Sequence, residues 1–139
     1  NYLDTYKGIK QYMEDIVAIG KEKGYVETIM NRRRYIPELK SKNYNVRSFG
    51  ERVALNTPIQ GSAADIIKVA MVKFYNRLNE EKLKAKLILQ VHDELIVDCP
   101  KDEREKVLEI MKDVMTHAVD LKVDMKIDVN SADNWYDAK

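Results

Sequence analysis

Two apolar runs, Leu87–Val91 and Leu95–Cys99, are separated only by His92-Asp93-Glu94. So short a spacer leaves antiparallel pairing as the one arrangement open to two strands, because a parallel pair needs a crossover of a dozen or more residues. The chain is therefore expected to contain a β-hairpin whose tip carries an imidazole and two carboxylates. Two-residue hairpin loops favour Asn-Gly or Asp-Gly, since their turn positions need positive φ, and this tip has no glycine. Oxygen ligands from Asp and Glu suit Mg²⁺, which takes one or two protein carboxylates beside water and phosphates. Asp is equally common in ordinary solvated turns, so the spacing alone fits both readings. A single aspartate is also not a two-metal site, and a second carboxylate would have to come from elsewhere.

The rest of the chain alternates helix and strand signals. Leu3, Tyr6, Ile9, Met13, Ile16 and Val17 recur at helical spacing, which predicts an amphipathic helix over 3–22 with Gly24 as its stop. Residues 25–30 and 35–36 read as short strands around a basic tip, Asn31-Arg32-Arg33-Arg34. Residues 38–45 read as polar loop and 46–55 as a short helix. Thr57-Pro58 then looks like a fresh helix start, a capping hydroxyl followed by proline at the first helical position. Ile59, Ala63, Ile66, Ile67, Ala70, Phe74 and Leu78 carry that helix to about residue 80. Gly61 inside it costs about 1 kcal/mol against alanine, so a packing or functional reason is expected for it. After Pro100, acids at Asp102, Glu103 and Glu105 suit the positive start of a helix with Val107, Met111, Val114 and Ala118 on its apolar face. Met125–Val129 alternates as a strand. The order predicts an α+β fold, an antiparallel sheet backed by long helices.

Charge is distributed unevenly. The whole chain of 139 residues carries only +1, but Arg32–Arg52 holds seven Lys/Arg against two acids. That stretch is a plausible phosphate footprint, and equally a solvated loop. Arg52, Asn56 and Gln60 lie four apart, so a continuous helix would align them as one stripe of N–H donors. The minor groove offers an acceptor on every base pair, nearly independent of sequence. A donor stripe suits that surface. It also fits a plain polar helix face with Asn56 as a cap. The lone Cys99 excludes an internal disulfide, and no apolar run approaches the roughly 20 residues needed to span a bilayer.

These motifs, taken together and in order, resemble the DNA polymerases of family A, the bacterial DNA polymerase I type. Gln90-Val-His-Asp-Glu-Leu-Ile96 resembles the last conserved motif of that family. Asn56-Thr-Pro-Ile-Gln-Gly-Ser-Ala-Ala-Asp-Ile-Ile67 resembles the helix preceding it, and Gly24-Tyr-Val-Glu-Thr with Arg32-Arg-Arg-Tyr-Ile-Pro37 the segment after the nucleotide-binding fingers helix. Trp135-Tyr-Asp-Ala-Lys139 resembles the family's C-terminal end.

The resemblance implies a partial polymerase domain, with 1–45 the end of the fingers and 46–139 a palm segment bearing a metal-binding hairpin. It implies template-directed transfer of nucleotides from dNTP to a primer 3′-hydroxyl, in replication and repair, in the bacterial cytoplasm at the nucleoid. By residue, it implies that Asp93 binds catalytic Mg²⁺, that Glu94 is an auxiliary acid, and that His92 lies near the primer terminus. It implies minor-groove contacts to primer-template DNA for Arg52, Asn56 and Gln60, and backbone contacts for Arg33 and Arg34. The family's upstream Asp-Tyr-Ser-x-Ile-Glu motif and its nucleotide-binding helix do not occur in this sequence. The chain, which starts at Asn1, thus reads as a C-terminal piece whose two-metal site is completed by residues elsewhere. It is expected to be inactive alone and to self-associate through its cut face. A stand-alone nucleic-acid-binding module and a metal-binding regulatory domain are the other classes open to it.

Overall fold

The computed structural model describes residues 2–138, so Lys139 of the terminal motif lies outside the described residues. Helices α1 (Tyr2–Thr5), α2 (Lys7–Lys23), α3 (Tyr44–Glu80) and α4 (Arg104–Thr116) are joined by strands β1 (Tyr25–Glu27), β2 (Arg33–Tyr35), β3 (Lys86–Val91) and β4 (Glu94–Asp98). The expected α+β class is found: β1–β2 and β3–β4 form two separate antiparallel pairs. Two compact units are present, one extending through Asp65 and the other starting at Ile66. No described helix is long and apolar enough to cross a membrane.

In the first unit, the helix predicted over 3–22 is broken at Tyr6, whose ψ of 67° leaves the helical region. Gly8 in the next turn weakens propagation across the break, and the Tyr2 and Tyr6 rings pack at 4.8 Å between centroids. The predicted stop holds. Gly24 takes the left-handed conformation, φ 81°, and its N–H donates to Gly20 O at 2.9 Å, a conformation that costs glycine nothing. β1 and β2 pair Tyr25 with Tyr35, Val26 with Arg34 and Glu27 with Arg33. The basic tip is accordingly displaced from the expected one: Arg33 and Arg34 lie on β2, and the turn is Thr28–Arg32. Val26, Ile36, Leu39 and Ala54 form the core, with Ile16 and Val53 against it.

The expectation of two helices meeting at Thr57-Pro58 is overturned. α3 is one helix of 37 residues with Pro58 inside it. Its cap is Asn43, whose Oδ1 accepts from the N–H groups of Asn45 at 2.9 Å and Val46 at 3.4 Å. Proline within a helix removes one hydrogen bond and costs about 3 kcal/mol. Burial on both sides offsets it, since Ala54, Ala70, Phe74 and Leu78 are all 3% exposed or less.

In the second unit, Ala70, Phe74 and Leu78 from α3 meet Val107, Ile110 and Val114 from α4. This matches the predicted apolar faces, with Ile110 added. Lys73 Nζ donates to Ala118 O at 2.8 Å and His117 O at 3.3 Å, satisfying carbonyls at the α4 terminus. Arg77 bonds Asp113 at 3.0 Å and Glu81 at 3.3 Å. The Lys106 ammonium, 3.0 Å from the buried Glu81 Oε2, together with Arg77 holds that carboxyl below the usual range against burial. Glu103 does more than start a helix: its carboxylate accepts from the N–H groups of Lys84 and Ala85 at 2.9–3.0 Å, fixing the entry to β3. Burial, then the neighbouring Glu103 and Asp98, pushes the Cys99 thiol up.

Met125–Val129 is not a strand. The alternation is visible as half-buried Met125, Ile127 and Val129 between exposed Lys126 and Asp128. Alternation decides which side chains turn inward, but a strand also needs a partner backbone, and no strand among the described residues pairs with this segment.

Candidate functional site

α3 runs through Pro58, so Arg52, Asn56 and Gln60 occupy successive i, i+4 positions on one helix, and all three are exposed. With Asn43 as the cap, Asn56 is a mid-helix residue free to present its amide outward. Arg52 Nη1 reaches back to Ser48 Oγ at 3.4 Å, continuing the row by one turn. Asn56 and Gln60 make no side-chain hydrogen bond among the described residues. Amide and guanidinium donors thus line one helix, where the sequence pattern led to a break at Thr57-Pro58.

On the hairpin of the same unit, three successive arginines take three roles. Arg33 Nε donates to Glu27 Oε1 at 3.0 Å, and its guanidinium lies over the Tyr25 ring at 4.5 Å. The Tyr35 side chain first, and Glu27 second, hold it further above its ordinary pKa. Arg34 is exposed and makes no ion pair among the described residues. Arg32 turns inward: Nε donates to Asp65 Oδ1 at 2.9 Å and Nη2 to Gly61 O at 3.3 Å. Sequence reasoning did not find Asp65. Its signal was Gly61, since a Cβ there would lie 2.6 Å from Thr28 Cγ2. No side chain fits where the turn meets the helix so closely.

In the second unit, β3 and β4 pair from Lys86↔Asp98 to Val91↔Glu94 across an irregularity at Ile88. The turn is therefore His92-Asp93, and Glu94 is the first residue of β4. His92 supplies the positive φ, 53°, that glycine usually supplies. Gln90 Nε2 donates to His92 O at 2.6 Å, bracing the turn from its own strand. His92, Asp93 and Glu94 are all exposed. No group of three His, Cys, Asp or Glu side chains among the described residues is placed to hold a metal ion. Asp93 and Glu94 thus offer hard oxygen donors on a short turn. Such donors suit a hard divalent cation that takes few carboxylates from any one segment, and not a cage housed in the described residues alone.

The model of the family described as DNA polymerase family A matches residues 1–137. The chain belongs to DNA polymerase family A. It is 58% identical over 138 residues to DNA polymerase I of Bacillus subtilis and 55% identical over 138 residues to that of Geobacillus stearothermophilus. Each match covers 99% of this chain and 16% of the relative. Among solved structures, the POL domain of Pol1 from M. smegmatis, in complex with DNA primer-template and dNTP, matches with a TM-score of 0.87 and 42% identity. That match covers 90% of this chain and 22% of the other. The family A segment described above thus spans about a sixth of the length of the relatives it matches.

Proposed function

We propose that this chain is the part of a DNA-directed DNA polymerase that grips the primer-template and supplies one catalytic carboxylate. The whole protein would transfer nucleotides from dNTP to a primer 3′-hydroxyl in replication and repair, in the cytoplasm at the nucleoid. The observation that carries this reading is the exposed donor row Arg52-Asn56-Gln60 on an unbroken helix, in a chain whose structural neighbour was solved with primer-template DNA and dNTP. The row reads acceptors that all base pairs share. Arg33 and Arg34 contact the phosphate backbone. We assign 1–45 to the end of the fingers and 46–139 to the palm.

Asp93, on the β3–β4 turn, would hold Mg²⁺ with carboxylates from outside this chain, and Glu94 assists. When bound, such ions offset charge on the attacking and leaving oxygens of phosphoryl transfer. The contribution of this chain is to hold the Asp93 carboxylate still, through the paired strands and the Gln90 brace, and to leave it exposed. His92 lies at the primer terminus. In the whole polymerase, Asn56→Ala and Gln60→Ala are expected to slow primer extension and alter discrimination against mismatched termini, with no base-sequence preference. Extension assays on matched and mismatched primers check this. Wild-type rates on both would reduce the row to a helix surface.

The 139-residue chain by itself is expected to self-associate, because exposed apolar patches drive association. Val72 and Tyr75, three apart on α3, are 60% and 61% exposed. Sedimentation at rising concentration reads this out, and a monomer throughout would contradict it.

A further inference from the structure

Thr28 and Asp65 are the buried polar side chains among the described residues, at 5% and 7% exposure. They are 37 residues apart in sequence and bond directly, Thr28 Oγ1 donating to Asp65 Oδ2 at 2.5 Å. The Thr28 hydroxyl also accepts from the N–H groups of Met30 at 3.3 Å and Arg32 at 3.2 Å. One donor and two acceptors are all that a hydroxyl has, so the turn is closed around it. The other Asp65 oxygen takes Arg32 Nε at 2.9 Å. Ser62 Oγ accepts from Ile29 N at 2.8 Å, and Arg32 Nη2 reaches Gly61 O. Every helix residue in this set follows Gln60 within five positions, and every turn residue precedes Arg33 within five.

A buried carboxylate is a poor way to gain stability alone, since well-packed apolar residues of like volume often do as well or better. What it provides is directed geometry. Apolar packing would let the turn slide on the helix, whereas charge-assisted hydrogen bonds from two different residues fix its position. We propose that Asp65, acting through Thr28 and Arg32, is a positioning residue that sets the register between the Arg33-Arg34 strand and the Arg52-Asn56-Gln60 row, so that phosphate and groove contacts fall on one duplex. This rests on the DNA-binding reading of both elements.

The test is the salt dependence of primer-template binding by the whole polymerase. Each phosphate contact contributes about 0.9 to the slope of log Kobs against log salt. Arg34→Ala is expected to lower the slope by about that amount. Asp65→Asn and Thr28→Val are expected to lower it by about twice that, since Arg33 and Arg34 lie on the same strand, Thr28→Ser to restore it, and Asp65→Asn combined with Arg34→Ala to lower it no further than Asp65→Asn does. Binding is normalised to folded protein, so that lost stability alone leaves the slope unmoved. If Arg34→Ala lowers the slope but Asp65→Asn and Thr28→Val keep the wild-type value, the positioning role is overturned and DNA binding by the hairpin stands. If Arg33→Ala and Arg34→Ala both leave the slope unchanged as well, the hairpin makes no phosphate contact and both readings fall. Should Asp65→Asn not fold, the contrast between Thr28→Val and Thr28→Ser decides by the same criterion.

Discussion

Asp93→Asn in the whole polymerase is expected to slow the chemical step of nucleotide incorporation by about 10³-fold or more, equivalent to about 4 kcal/mol of transition-state stabilisation. The substitution keeps the size of the side chain and removes the charge that favours a divalent cation. It leaves the backbone largely alone, because the turn is fixed by the Val91↔Glu94 pair, the positive φ at His92 and the Gln90 brace. Asp93 belongs to neither the donor row nor the basic strand, so duplex binding is expected to survive. Glu94→Gln is expected to cost less, since the proposed reading gives Glu94, the first residue of β4, only an auxiliary part. Single-turnover incorporation, measured beside a DNA-binding titration on the same proteins, separates these effects. A near wild-type rate for Asp93→Asn, or a defect confined to binding, would remove Asp93 from the catalytic role.

The largest effect on stability is expected at Phe74. It is 1% exposed, among the largest fully buried side chains, and lies in the cluster where α3 meets α4. Phe74→Ala removes a ring and leaves a cavity that rigid neighbours fill only in part, at a cost of about 3–5 kcal/mol. That is a large share of the roughly 5–15 kcal/mol that holds a typical domain together. Val72→Ala, two residues away and 60% exposed, is expected to change stability by no more than about 0.5 kcal/mol. Urea titration followed by far-UV circular dichroism gives both values. Equal losses at the two positions would mean that α3 buries a different face.

Much of the site was legible because its cues are local. The three-residue spacer between two apolar runs required a hairpin with Asp93 at its tip, and that is where Asp93 lies. The spacing of Arg52, Asn56 and Gln60 aligned them once the helix proved continuous. Gly61 signalled a packing or functional reason, and the structure makes it the close approach to Thr28. The misreadings share one cause. Thr57-Pro58 satisfied every local rule for a helix start, yet buried contacts before and after it hold α3 together. Asn31-Arg32-Arg33-Arg34 reads locally as a tip, but the Thr28 hydroxyl draws the turn back to Thr28–Arg32 and leaves Arg33 and Arg34 on the strand.

The sequence alone determined the periodicities, and with them which faces of α2, α3 and α4 are apolar, where the hairpin turns and which charged groups it presents. These depend on residues one to four apart, whose relation the backbone fixes by itself. Tertiary structure decided whether Pro58 ends a helix, whether Met125–Val129 pairs, and which of three adjacent arginines turns inward to Asp65. Each of these depends on atoms supplied from tens of residues away, and a local pattern carries no information about whether such a partner arrives.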